Sequence, residues 1–292
     1  MADVAVSLDE AAAWALVRTA VPRAIPEPGR RRVVHPMRRE LWLEIDESGE
    51  WEASVQPTPS AGELLDLYVP LTRGPDLVIG QLGQSLDGRI ATVSGRSHYI
   101  TGPDDIRHLH RLRALVDAVI VGASTVAQDD PRLTVREVEG ENPVRVVLDP
   151  TGRLGPDRRV FSDGAAQTLV VRLEATPKDD LGKSGDGPEV LTLPASDNTR
   201  FEGSGFEPDH VLEALQDRGL RRVLVEGGGV TVSSFLEAGL LDRLHLTVAP
   251  ILMGSGRPAI TLPVIETLDQ ALRAPCRHVP LGDDLLFDLD LS

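Results

Sequence analysis

Short apolar runs separated by amphipathic stretches fill most of this chain. "DLVIGQLG" (76–83), "AVIVGAS" (118–124), "VRVVLDP" (144–150), "TLVVRL" (168–173), "EVLTLP" (189–194) and "RVLVEG" (222–227) are continuous rather than alternating. Strands buried on both faces have that pattern. Between them, "TGPDDIRHLHRLRALVD" (101–117) predicts a helix capped by Thr101, with Pro103, Asp104 and Asp105 in its first turn. Ile106, Leu109, Leu112, Leu115 and Val116 would form its apolar face. "PDHVLEALQDRG" (208–219) predicts a second helix that stops at Gly219. "RLHLTVAPIL" (243–252) is a further strand, and "HVPLGDDLLFDLDL" (278–291) reads as an antiparallel hairpin. The polar, turn-rich "ATPKDDLGKSGDGPE" (175–189) is an exposed loop. Strands alternating with helices predict an α/β fold: a mainly parallel central sheet flanked by helices, closed by an antiparallel C-terminal hairpin.

The first 74 residues have a different texture, so residues 1–74 are expected to form a small α+β extension ahead of a main domain over 75–292. Ser7 and Glu10 in "SLDEAAAWALVRTAV" have capping-box spacing and predict a helix ended by Pro22, Pro26 and Pro28. "ELWLEIDESGEWEASVQ" alternates on both sides of Glu47–Glu50 and reads as a hairpin carrying Trp42 and Trp51. "SAGELLDLYVPL" reads as a short helix.

The 292 residues are 41% hydrophobic but only 3% aromatic, so Leu, Val, Ile and Ala must fill the core. A formal charge of −15 opposes nucleic acid and anionic membranes as partners, although a local cationic pocket for a small anion stays open. The single cysteine, Cys276, excludes an internal disulfide framework and a cysteine-built zinc site. Acidic residues stand where a secretory leader would carry basic ones, and no apolar run is long enough for a bilayer. These features lead us to expect a cytoplasmic protein.

In open α/β sheets, ligands sit beyond the carboxyl ends of the strands. Three such ends carry Gly, Thr, Ser and acidic residues: "GASTVAQDDPRLTVR", "DPTGR" and "EGGG". In the last, Glu226 ends a strand and three bare residues lead into a helix. An anion such as a phosphate could approach that backbone and be held by the first N–H groups of the helix. Equally, the glycines could only supply the positive φ of a tight turn. Neither G-x-G-x-x-G after a strand nor G-x-x-x-x-G-K-[ST] occurs, so an ordinary Rossmann or P-loop site is not expected. His108 and His110, two apart on a helix, point in different directions and do not make a metal pair.

"SLDGRIATVSGRSHYIT" (85–101), "VGASTVAQDDPRLTVR" (121–136) and "LVEGGGVTVSSFLEAGLLDRLHLTVAPILMGSG" (224–256) together resemble the reductase domain of the bifunctional riboflavin-biosynthesis deaminase/reductase. The resemblance runs from about Leu77 to the C-terminus. It implies a dihydrofolate-reductase-like fold and NADPH-dependent reduction of the ribose of 5-amino-6-(5-phosphoribosylamino)uracil, or a close relative, to a ribityl chain. Related readings are a reductase for another carbonyl, imine or pterin-like substrate, or a non-catalytic dinucleotide-binding protein. The zinc deaminase half is absent, since it needs two thiolates. Carried over by position, the resemblance implies cofactor contacts from Gly83, Tyr99, Thr125, Asp129, Gly228, Gly229, Val230, Thr231, Val232, Ser233 and Ser234. It implies substrate contacts from Ser97, Arg113, Leu133, Arg136 and Glu226, with Glu226 and Asp129 closest to the chemistry. No metal is implied. Gln81 stands where the family often has lysine. Arg153, Arg158 and Arg159 are candidates for a 2′-phosphate. The resemblance also implies a homodimer. "DRLHLTVAPILMG" is apolar enough for its interface, or for an ordinary central strand.

Overall fold

The computed structural model describes residues 7–24, 27, 29–95, 100–177, 181, 187–195 and 205–292. Most of the expected 175–189 loop lies outside the described residues, as do Ser97 and Tyr99. The chain divides into two compact units, Met1–Leu77 and Val78–Ser292.

In the first unit, α1 (Glu10–Ala20) and α2 (Pro59–Tyr68) accompany an antiparallel sheet of order β1 (Arg31–Val34), β2 (Trp42–Ile45), β3 (Trp51–Ala53). The expected hairpin is β2–β3. Ser7 does not cap α1. Leu8 bridges to Pro57 in extended conformation, so the helix starts two residues later, and Asp9 accepts from the Ala12 N–H at 2.8 Å. Leu8, Leu16, Leu43, Ile45, Leu65 and Tyr68 are buried, and Trp14 meets the Tyr68 ring edge-on at 5.7 Å.

The second unit is built on nine strands: β4 (Leu77–Ser85), β6 (Ala118–Gly122), β7 (Val144–Leu148), β8 (Thr168–Leu173), β9 (Glu189–Leu193), β10 (Arg222–Glu226), β11 (Arg243–Ala249), β13 (Cys276–Leu281) and β14 (Asp284–Asp290). Their order is β13-β14-β11-β4-β10-β6-β7-β8-β9. The pairings of β13 with β14 and of β14 with β11 are antiparallel, whereas β11–β4, β10–β6, β6–β7, β7–β8 and β8–β9 are parallel. This is the expected α/β architecture. β11 lies inside the sheet between β14 and β4, as an ordinary central strand. A two-stranded ribbon, β5 (Arg89–Thr92) with β12 (Gly256–Pro258), stands apart from the large sheet.

The apolar runs became strands because both faces are covered. Ile120, Val146, Val171, Val223 and Val225 join Val211, Leu215, Val232 and Phe235 in one core. The last four lie on α6 (Pro208–Gln216) and α7 (Gly229–Glu237), which follow a single-turn α5 (Arg159–Ser162) in the chain. Each buried aliphatic side chain contributes roughly 1.5–3 kcal/mol by leaving water.

The helix over 101–117 departs from expectation. It runs as α3 (Pro103–Arg113) with Gly102 at its N-cap. Thr101 instead hydrogen-bonds the Asp105 side chain. Leu112, and Leu115 just beyond the helix, are buried as expected, but so are Asp105, His108, His110 and Arg113, while Ile106 is 42% exposed. The polar face is turned inward because polar partners await it. His108 Nε2 meets His245 Nδ1 at 3.0 Å, His245 Nε2 meets Asp288 Oδ1 at 3.1 Å, and Thr247 Oγ1 donates to Asp105 Oδ1 at 2.6 Å. Against the upward pull of burial, His245 and Arg243 hold the Asp288 carboxyl far below the usual carboxylate range, and Arg277 also donates to it.

Candidate active site

A cleft of 850 Å³ opens at the carboxyl ends of the parallel strands. Gln81 and Gly83 of β4, Val121 and Gly122 of β6, Leu148 of β7 and Glu226 of β10 reach it. The remaining walls come from α3, from α4 (Ala123–Asp129), from the start of α7 and from the β5–β12 ribbon.

The glycines after Glu226 each have a structural cause. Gly227 and Gly228 take φ of +60° and +74°, the left-handed region that glycine enters without penalty. Their backbone presses on Thr125: a Cβ at Gly228 would stand 3.1 Å from Thr125 Oγ1. Gly229 is needed for contact, since a Cβ there would stand 2.1 Å from the carbonyl oxygen of Ala259. The turn and the 258–259 backbone therefore already demand these residues. The same bare turn leaves Gly228, Gly229, Val230 and Thr231 lining the cleft.

Glu226 and Arg113 face each other at the centre. Arg113 Nε donates to Oε1 and its terminal nitrogen to Oε2, both at 2.7 Å, and a third N–H reaches the Thr134 carbonyl at 3.1 Å. Each side chain is 7% exposed. A planar guanidinium matched to a carboxylate in this way is the strongest form of the contact. Arg113 is thus engaged by Glu226.

Arg113, Asp129, Pro131 and Leu133 also line a second cavity of 410 Å³, whose other walls are Asp130, Arg132, Arg136 and Arg159. The chain reaches it through two left-handed residues, Asp130 (φ +41°) and Leu133 (φ +54°). For leucine this conformation costs roughly 1–2 kcal/mol, and such strain gathers where a site fixes the backbone. Burial and the neighbouring Arg113 and Arg132 charges lower the pKa of Arg136, so an arriving anion is favoured there. The Arg136 N–H donates to His110 Nδ1 at 2.9 Å; burial beside Arg113 and Arg136 brings His110 down to about 4.

Of the expected site residues, Gly83, Arg113, Thr125, Asp129, Leu133, Glu226 and Gly228 to Thr231 line the larger cleft, and Arg136 lines the smaller cavity. Val232, Ser233 and Ser234 line neither. Val232 is in the core, Ser234 bonds back to the Thr231 carbonyl, and Ser233 accepts from the Thr261 N–H. Sequence reading missed Asp105, Ile106 and Leu109 as cleft residues, because it placed the apolar side of α3 against the core. Of the three 2′-phosphate candidates, Arg153 alone lines the larger cleft, with its guanidinium 2.6 Å from Ser124 Oγ. Among the described residues no helix is long and apolar enough to cross a membrane, and no cluster of His, Cys, Asp and Glu is arranged to hold a metal.

A parallel sheet with a glycine turn, a large cleft and an adjoining cationic cavity at its strand ends defines an α/β protein with a small-molecule site at the carboxyl ends of the strands. Residues 76–280 match the model of the RibD C-terminal domain, and the chain belongs to that family. It is 38% identical over 218 residues to the 2,5-diamino-6-ribosylamino-4(3H)-pyrimidinone 5′-phosphate reductase of Methanothermobacter thermautotrophicus, covering 72% of this chain and 96% of the relative. It is 33% identical over 223 residues to the riboflavin biosynthesis protein RibD of Aquifex aeolicus, covering 76% of this chain and 59% of that longer protein. Among solved structures, Acinetobacter baumannii RibD superposes with a TM-score of 0.63 at 27% identity, over 79% of this chain and 62% of the other. The portion shared with the longer RibD proteins is their reductase part.

Proposed function

We propose that this chain is an NADPH-dependent reductase that converts 5-amino-6-(5-phosphoribosylamino)uracil, or its 2,5-diamino counterpart, to the ribitylamino product. The carrying observation is the junction of two cavities at the Arg113–Glu226 pair: a long cleft on one side and an arginine-lined pocket on the other. That division suits a dinucleotide beside a phosphorylated sugar.

The cleft's residues fit the cofactor. Gly228 and the first N–H groups of α7 suit a pyrophosphate, Thr125 and Asp129 suit ribose or carboxamide groups, and Arg153 suits a 2′-phosphate. When bound, the nicotinamide supplies a hydride, and the protein's part is to align the sugar carbon with it and to exclude water. Ile106 and Leu109 provide an apolar surface for the pyrimidine. Arg132, Arg136 and Arg159 hold the phosphate. Glu226, fixed by Arg113, accepts from sugar hydroxyls, and Asp129 borders both cavities.

We further propose a homodimer. Leu252, Val264, Leu268 and Leu272 are 78%, 96%, 77% and 56% exposed along one segment, an unusual density of apolar side chains for a monomer surface. Sedimentation showing only monomer at micromolar concentration would contradict this. The reading places the enzyme in the cytoplasm, where NADPH and phosphorylated sugars are met.

The direct test is NADPH oxidation by the purified protein with each of the two pyrimidines, with NADH run alongside. Turnover with either pyrimidine supports the reading. Tight NADPH binding without turnover of either would retain the site and remove the substrate.

A further inference from the structure

Arg113, Arg153 and Arg257 are the arginines that line the larger cleft. Arg113 is paired with Glu226. The other two are held by neutral groups on α4: Arg153 donates to Ser124 Oγ at 2.6 Å, and Arg257 donates to Gln128 Oε1 at 2.7 Å. Neither has a carboxylate partner among the described residues. Ser124 and Gln128 are four apart, so they share one face of α4 and lie about 6 Å apart along its axis. Two cations without carboxylates on one helix face are a local exception in a chain of charge −15, and they favour an anionic ligand.

Arg257 is set in place by the β5–β12 ribbon. Before the strand, Asp87 accepts from the Met253 and Gly254 N–H groups at 3.0 and 2.6 Å. After it, the Ala259 N–H donates to the Gly88 carbonyl at 3.0 Å, and the Ala259 carbonyl packs on Gly229. Across the ribbon Arg257 pairs with Ala91, which is buried on the cleft side, so the guanidinium extends from that same face. Gly95 leaves room for it, since a Cβ there would stand 3.1 Å from Gln128 Oε1 and 3.2 Å from an Arg257 nitrogen. A guanidinium has five N–H donors, and Gln128 takes one. Gln128 thus orients the side chain and leaves the other donors for a ligand. Two routes tie it to the glycine turn. Thr125, one turn back from Gln128 on α4, presses on Gly228, and Ala259, two residues after Arg257, presses on Gly229. The arginine pocket on the substrate side does not include Arg257.

We propose that Arg257 is a cofactor-binding residue, donating from the ribbon to the pyrophosphate that lies against the first N–H groups of α7. This rests on the reading of the cleft as a dinucleotide site and adds a contact to it. The pyrophosphate is common to NADPH and NADH, so Arg257 serves both, whereas Arg153 serves the 2′-phosphate that NADPH alone carries. Charge-assisted donors from the ribbon then complement the backbone donors of the turn, and guanidinium geometry suits phosphate oxygens.

The test is calorimetric binding of NADPH and of NADH to the full-length wild type, Arg257→Gln and Arg257→Lys. Arg257 is exposed, so both variants should melt with the wild type. Arg257→Gln is expected to weaken both dinucleotides by the same factor, roughly 10–100-fold, as one lost charge-assisted contact implies. Arg257→Lys keeps the charge and should recover part of that loss for both. In turnover, Arg257→Gln should raise the KM for NADPH and leave kcat at saturating NADPH unchanged. Unchanged affinities in Arg257→Gln overturn the assignment and leave the dinucleotide site standing. A loss confined to NADPH overturns it as well, because it moves Arg257 to the 2′-phosphate. A higher KM for the pyrimidine with cofactor affinity intact also overturns it. Equal losses in a protein that binds the cofactor but reduces neither pyrimidine keep Arg257 and remove only the substrate. A wild type that binds neither dinucleotide overturns both readings.

Discussion

Breaking the Arg113–Glu226 pair should destabilise the second unit far more than a surface ion pair would, and the two single changes should not add. Both side chains are 7% exposed and joined by two contacts of 2.7 Å. Removing one partner strands the other charge in a poorly hydrated site, at a cost of about 3–5 kcal/mol. Glu226→Gln retains one acceptor and should sit near the lower end of that range. Arg113→Met leaves the carboxylate facing the Thr134 carbonyl oxygen that Arg113 had bridged, and should sit near the upper end. The double variant removes both charges, so it should cost about as much as one single change, a coupling of about 3 kcal/mol. The probe matters. All three tryptophans, Trp14, Trp42 and Trp51, lie in the first unit, so their fluorescence does not follow this pair. Hydrogen exchange of the β10 amides in urea does. Additivity within about 0.5 kcal/mol would refute the stranded-charge reasoning. Both single variants should also lose most turnover, since each partner positions the other at the junction of the cavities.

Gly229→Ala should destabilise the protein by about 3 kcal/mol, because the new methyl meets the Ala259 carbonyl oxygen, a backbone atom; a thermal melt within a degree of wild type would show that the 258–259 segment yields freely. Arg153→Ala should weaken NADPH binding roughly 10–100-fold and leave NADH unchanged, as the loss of one charge-assisted phosphate contact implies; calorimetry with both cofactors checks it, and parallel losses would remove Arg153 from the 2′-phosphate. His108, His110 and His245 all have folded pKa values below 6.5, chiefly through burial. The unfolded chain therefore binds more protons as pH falls, so stability present above pH 6.5 should decline between 6.5 and about 4, the value for His110. Urea midpoints at pH 7.5 and 5 measure this, and an unchanged midpoint would contradict it.

Legibility in the sequence followed local patterning. Continuous Val/Ile/Leu runs fixed where strands lie, and turn residues fixed where they stop, so the α/β class and the C-terminal hairpin could be read directly. Most of the cleft residues were reached through motif blocks rather than spacing. What those blocks did not separate was side-chain destination: Val232, Ser233 and Ser234 belong to the same stretch as Thr231, yet helix rotation turns them into the core and toward Thr261.

The largest departure was α3. Periodicity alone says that apolar residues face inward, and it placed Ile106 and Leu109 in the core. Whether a helix buries its apolar or its polar side depends on what the sheet offers beneath it. Here β11 and β14 offer His245, Thr247 and Asp288, which come from positions well over a hundred residues further along the chain. The chain's own order determined which segments become strands and helices, because hydrophobic periodicity and turn chemistry act over a few residues. Only the tertiary structure decided that Arg113 belongs to Glu226, that Asp105 belongs to the cleft, and that Gly229 yields to Ala259, because those are contacts between distant segments that local pattern does not encode.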